Sequence, residues 1–314
     1  MIRALKITIS ATLIAVLVWN LDWAEVPSDF RRMDPVLVII AVVLFWAQYP
    51  LSAWKWQKSL KLHGLAYPFR RLLRIYCIAF FFNNFLPTAI GGDVFRAYRT
   101  MEKAKRRAHA FSAIVVERLT GLAALVFLGF LSAIYLVYRG PLIHRDWVAG
   151  ALLLVTVGVL VTWLVWRSGS HEKLWARLKN IGRLEPLIDS IRVININRQH
   201  FPGLVGLSVL FQGAAILTVA SLFAALNLPG KLIESGFTAA AFGVAGIIPI
   251  SINGIGVVES SFVLAALEVR LPYAEAVLVA LLLRALMLIA SISFGLLYAA
   301  EPAEDRTVRE DTAN

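Results

Sequence analysis

An apolar run that is broken in its middle limits what this chain can fold into. Residues 83–99 read NNFLPTAIGGDVFRAYR: Pro87 removes a backbone donor, Gly91 and Gly92 loosen the chain, and Asp93 and Arg96 follow at once. A straight membrane helix does not carry such residues, because a charge at mid-bilayer costs about 2.5–3.5 kcal/mol on insertion scales. Broken backbone at that depth must be buried in protein or line a wet cavity. Residues 247–262, IIPISINGIGVVESSF, repeat the grammar: Pro249, then Asn253, Gly254 and Gly256, then Glu259 and a resumed helix. Paired interruptions in the two halves of a membrane chain point to a transporter's site.

Composition sets the class. The chain is 59% hydrophobic, against about 45–50% in soluble domains, and its mean hydropathy is +0.72. The surplus lies in long runs, which predicts an all-α polytopic membrane protein: a single transmembrane domain over 1–300 and a polar, frayed cytoplasmic tail over 301–314. The net charge of +11 reads as cytoplasmic loops facing anionic lipid rather than as a nucleic-acid surface. Cys77 is the only cysteine, so no intrachain disulfide forms, and it reads as a small buried apolar residue. The N-terminal run to Leu21 resembles a signal peptide, but no small-x-small site follows it, so it is read as an uncleaved first span.

Six spans are expected, at about 4–21, 35–54, 112–137, 147–166, 203–226 and 274–298. Lys55, Lys58, Lys61, Arg70, Arg71 and Arg74 precede the first broken stretch, and Arg96, Arg99, Lys103, Lys105, Arg106 and Arg107 follow its apolar part. Both flanks are therefore cytoplasmic by the positive-inside rule, and residues 69–103 should form a re-entrant hairpin that returns to its own side. The neutral flanks of 236–267 place a second hairpin on the outer side. Of 31 Lys and Arg, 23 then fall inside and six outside, with Arg118 and Arg284 in spans. Opposed hairpins imply an inverted repeat, with both termini cytoplasmic and the protein multi-pass in the cytoplasmic membrane. The rival topology, in which each hairpin crosses fully, conflicts with the basic flanks of 75–92. Leu174, Leu178, Ile181, Leu184, Ile188 and Ile191 give 173–194 the spacing of an interfacial amphipathic helix.

Charges inside the spans are candidate functional groups. Glu117 and Arg118 lie in VVERLTG, and either pair locally or face a site. Arg284 lies ten residues from the nearer end of its span, about 15 Å deep at 1.5 Å per residue, which favours pairing with Glu259 or contact with an anionic ligand. Asp93 and Glu259 can cap half-helices or line a site. Asn83, Asn84, Ser251 and Asn253 can satisfy freed backbone groups or touch substrate. Helices restarting after Gly91-Gly92 and Asn253-Gly254 aim N–H groups at mid-depth, where an anion would bind, and Arg96, Arg118 and Arg284 add charge. The candidate substrate-binding set is Asn84, Pro87, Gly91, Gly92, Asp93, Arg96, Glu117, Arg118, Pro249, Asn253, Gly254, Gly256, Glu259 and Arg284.

At FFNNFLPTAIGGDVFRAYR (81–99), VVERLTGL (115–122) and IPISINGIGVVE (248–259) the chain resembles the flippase-like, lysylphosphatidylglycerol-synthase transmembrane-region family, also called UPF0104. That family includes the flippase half of the bacterial multiple-peptide-resistance factor. The resemblance implies movement of aminoacylated phosphatidylglycerol, or of another phospholipid or polyprenyl-phosphate lipid, between leaflets. No aminoacyl-transferase domain accompanies these residues, so synthesis of lysyl-lipid is not expected. Nor is any other enzyme activity. The GGD at 91–93 has no second membrane Asp, the five His fall in or near loops, and no metal-ligand cluster or G-x-x-x-x-G-K-[ST] motif occurs. No cofactor is expected. The alternative is a non-transporting membrane partner that recruits a separately encoded lipid-modifying enzyme; a homo-oligomer is left open.

Overall fold

Among the described residues each long apolar run becomes a helix, and each of the two breaks lies between a pair of helices. The computed structural model describes residues 2–21, 23, 26–85, 91–101, 107–139, 142–167, 201–228, 231–248 and 250–301. Pro87, Pro249, the expected 173–194 helix and the tail beyond Glu301 lie outside the described residues. The helices are α1 (Ile2–Trp19), α2 (Val26–Arg32), α3 (Pro35–Leu62), α4 (Phe69–Phe85), α5 (Gly91–Thr100), α6 (Arg107–Arg139), α7 (Arg145–Arg167), α8 (Phe201–Ala225), α9 (Leu232–Ala245), α10 (Val257–Glu268) and α11 (Tyr273–Ala299). The protein is all-α, and α3, α6, α8 and α11 are long and apolar enough to cross a membrane. The six expected spans coincide with these four, α1 and α7.

Asp34 starts α3, its carboxylate accepting from the Val36 N–H at 2.8 Å with Pro35 at the first helical position. Pro50 lies inside α3 without ending it, and the helix stops only before Gly64, whose φ is +76°, so α3 runs two turns past the expected end at residue 54. This overturns one expectation. Lys55 is not a loop lysine but a buried helical one, and Arg96 is likewise buried rather than part of a solvated basic flank. A second revision concerns Glu301, the expected first residue of a frayed tail. It is buried against Arg74 at 3.3 Å and Arg99 at 2.8 Å, fastening the end of α11 to the first hairpin.

The helices fall into two equivalent units, α3–α6 and α8–α11. Three of the four helices in the second unit begin 166 residues after their counterparts: Phe201 after Pro35, Val257 after Gly91 and Tyr273 after Arg107. The units are inverted. Helices α3 and α8 pack antiparallel: the Asp34 N–H donates to the Ala225 carbonyl at 3.1 Å at one end, and Lys58 Nζ meets Gly203 at the other. Helix α6 packs antiparallel on α9 through small residues. A Cβ on Gly129 would lie 2.4 Å from that of Ala240, and Gly236 faces Ser132 as closely. The equivalent contact, α11 on α4, places Gly295 against Phe81.

Each hairpin is closed by its own polar groups. In the first, the Gly92 N–H donates to Asn83 Oδ1 at 2.8 Å, and a Cβ on Gly92 would lie 2.0 Å from the Ala79 carbonyl oxygen. Only glycine lets α5 lie that close to α4. In the second, Asn253, Gly254 and Gly256 have φ of 49°, 72° and 84°, the left-handed region that Gly and Asn tolerate best. Helix α1 covers this turn, Ser10 Oγ accepting from the Ile252 N–H at 3.3 Å. Because α3 and α8 run oppositely, the hairpins that follow them point at each other, and their tips touch: Asn253 Nδ2 donates to Asn84 Oδ1.

Candidate functional site

Helices α5 and α6 bring together four of the expected residues, and α3 contributes a fifth group. Arg96 donates to Asp93 Oδ1 and to Glu117 Oε2, both at 2.6 Å. Arg118 pairs with the other oxygen of Asp93, and Lys55 Nζ lies 3.9 Å from Glu117 Oε1. The Arg96 guanidinium also lies against the rings of Trp56 and Tyr76, at 5.1 and 4.8 Å. Three cations thus share two carboxylates. All are buried except Arg118, whose side chain is 52% exposed. Arg96 is saturated by its partners, so it positions Asp93 and Glu117 rather than offering charge to a ligand.

The second unit carries a simpler version. Glu259 is fully buried, pairs with Arg284 Nε and accepts the Gly256 N–H at 2.7 Å. Its capping and ion-pairing roles therefore coexist. Among the described residues Arg284 Nη2 is buried without a hydrogen-bond partner. The pairs Asp93–Arg118 and Glu259–Arg284 occupy matched places: the acid is the third residue of α5 or α10, and the arginine is the twelfth of α6 or α11.

Between α3, α4, α6, α8, α9 and α11 lies a cavity of about 490 Å³. Among the described residues Arg118 is the only charged group on its wall; Gln48, Ser52, Tyr76, Gln212 and Thr218 supply polar atoms, and Phe45, Leu122, Phe211 and Phe242 help make the rest apolar. Gln212 donates to the Gly121 carbonyl at 3.1 Å, and Gln48 to Thr218 at 3.4 Å. Of the expected site residues that are described, only Arg118 lines this space. Asn84 lies at the end of α4, Gly91 and Gly92 open α5, Asn253, Gly254 and Gly256 form the second turn, and Asp93, Arg96, Glu117, Glu259 and Arg284 are buried struts. Gln48 and Gln212 were not among the expected residues. Their signal is a polar stripe at helical spacing, Gln48 with Ser52 and Ser208 with Gln212, inside otherwise apolar runs. Among the described residues no group of three or more His, Cys, Asp or Glu could hold a metal ion.

A cavity with one cation, several neutral donors and acceptors and a long apolar wall suits an amphipathic anion. Residues 3–295 match the family model described as the lysylphosphatidylglycerol synthase TM region. The chain is similar to a UPF0104 membrane protein of Methanothermobacter thermautotrophicus, 22% identical over 282 residues that cover 82% of each chain. It is also similar to a UPF0104 membrane protein of Methanocaldococcus jannaschii, 27% identical over 227 residues, 68% of this chain and 91% of that one.

Proposed function

The chain belongs to the lysylphosphatidylglycerol synthase TM region family of membrane proteins, and from that premise we propose that it carries an anionic or aminoacylated phospholipid, or a polyprenyl-phosphate lipid, between the leaflets of the cytoplasmic membrane. The observation that carries this reading is the half-exposed Arg118 guanidinium at the wall of a largely apolar cavity between two inverted units. The head group sits at Arg118 among the cavity amides and hydroxyls, and the acyl chains follow the apolar wall toward lipid. The inverted units make the two ends of the path equivalent, as alternating access requires. The orientation follows the basic loops, with both termini cytoplasmic. Transport is passive or ion-coupled, and the protein acts without a cofactor and without enzymatic chemistry.

The test is leaflet exchange of head-group-labelled phosphatidylglycerol in liposomes carrying the purified protein. Wild type is expected to exchange it, and Arg118→Gln to slow exchange about tenfold or more, the worth of one hydrogen bond to a charged group. No exchange of any phospholipid or polyprenyl phosphate overturns the proposal and leaves recruitment of a lipid-modifying enzyme as the better reading.

A further inference from the structure

Resting on that reading of the cavity, we infer that its ligand is a monoanionic phosphodiester lipid without an amino group, and that aminoacylated lipid is discriminated against. The argument is charge accounting at named residues. Lys55, Arg96 and Arg118 face Asp93 and Glu117, so the buried cluster behind the cavity wall carries one positive charge in excess. Neither carboxylate lines the cavity, and both are engaged by Arg96, Arg118 and Lys55. Glu259, at the turn of the second hairpin, is fully buried on Arg284. Arg118 is thus the cavity's only charged wall group among the described residues.

A lysyl-phosphatidylglycerol head carries two ammonium groups and one phosphodiester. Its ammoniums favour a carboxylate, and among the described residues the cavity wall presents none; carbonyl oxygens and hydroxyls replace only part of the lost hydration. A phosphate monoester carries a charge of about −1.5 to −2 at pH 7 and would exceed the single excess cation. A phosphodiester carries one negative charge and matches it. The rest of the polar wall is neutral: Gln212 has a second amide N–H beyond the one given to the Gly121 carbonyl, and the amide oxygens of Gln48 and Gln212 can accept from the hydroxyls of a glycerol head.

The experiment is competition binding in detergent micelles. Unlabelled lipids displace acyl-labelled phosphatidylglycerol from the purified full-length chain. Phosphatidylglycerol is expected to compete at about tenfold lower concentration than lysyl-phosphatidylglycerol, phosphatidylcholine or a polyprenyl monophosphate. Arg118→Gln should erase that advantage and Arg118→Lys should retain most of it. Gln48→Glu, which puts a carboxylate on the wall, should shift preference toward the lysyl lipid. Each variant is read only from its monodisperse, folded fraction. Equal or stronger competition by lysyl-phosphatidylglycerol or by the monophosphate in wild type overturns the inference, as does the absence of saturable binding. Binding preference and leaflet exchange are separate readouts. Selective binding without exchange would sink the transport proposal and leave the specificity standing. Exchange with a preference for lysyl lipid would do the reverse.

Discussion

The two hairpins hold an arginine against an acid at the same register, yet one pair is wet and the other dry. Asp93–Arg118 belongs to a five-member cluster whose arginine is half exposed at a cavity. Glu259–Arg284 is an isolated pair whose side chains are 0% and 9% exposed. A buried ion pair contributes little net stability, but losing one partner strands a charge. In the first pair only Arg118 reaches solvent, and Asp93 keeps Arg96 as a partner when Arg118 is removed. Equivalent geometry can therefore serve opposite ends: the second pair braces its hairpin, and the first leaves a guanidinium free to meet a ligand.

Breaking the dry pair should have the largest effect on stability. Glu259→Ala is expected to destabilise by about 3–5 kcal/mol, because Arg284 has no substitute counter-ion among its described contacts. Thermal unfolding in detergent measures this, and a Glu259→Leu, Arg284→Leu double variant should recover most of the loss. Glu259→Ala that unfolds like wild type would remove the distinction between the hairpins.

Next comes Gly92→Ala, whose new Cβ would collide with the Ala79 carbonyl oxygen and force α5 off α4 at a cost of about 1–3 kcal/mol. The residue 166 positions on is Val258, already a large side chain, so Val258→Ala should behave as an ordinary core truncation. Comparing the two melting shifts tests whether close helix approach is a property of the first hairpin alone.

Asn253→Ala ranks below these. It loses the bond to Asn84 and places Ala at a φ of 49°, together about 1–2 kcal/mol. Asn253→Gly keeps the backbone at ease and should lose less, so the gap between the two variants separates strain from the tip contact. Arg118→Gln is expected to be smallest in stability, under about 1 kcal/mol, while leaflet exchange falls about tenfold. A folded Arg118→Gln variant with unchanged exchange would place the transported head group elsewhere.

Much of this was legible in the residues. Pro and Gly breaks in apolar runs announce hairpins because each removes a specific backbone constraint, and an arginine mid-way along a span needs a partner, which Glu259 supplies. Lys55 was not legible. It follows an apolar run and begins a basic one, and only the folded α3 shows it turning toward Glu117 rather than toward water. Gln48 and Gln212 were missed for a related reason: one amide in an apolar helix barely alters hydropathy, while the cavity depends on two helices placing such amides in one space. The 166-residue register was also hidden. Paired positions such as Gly92 and Val258 share a place in the fold without sharing chemistry.

The contact between Asn84 and Asn253 bears on energy supply. A hydrogen bond between membrane helices is worth about 0.6 kcal/mol on average in double-mutant cycles, close to thermal energy at 25 °C. So far as that bond joins the fingertips, ordinary thermal agitation separates them again and again. Opening the fold at this contact would take a fluctuation of ordinary size and no bound source of energy.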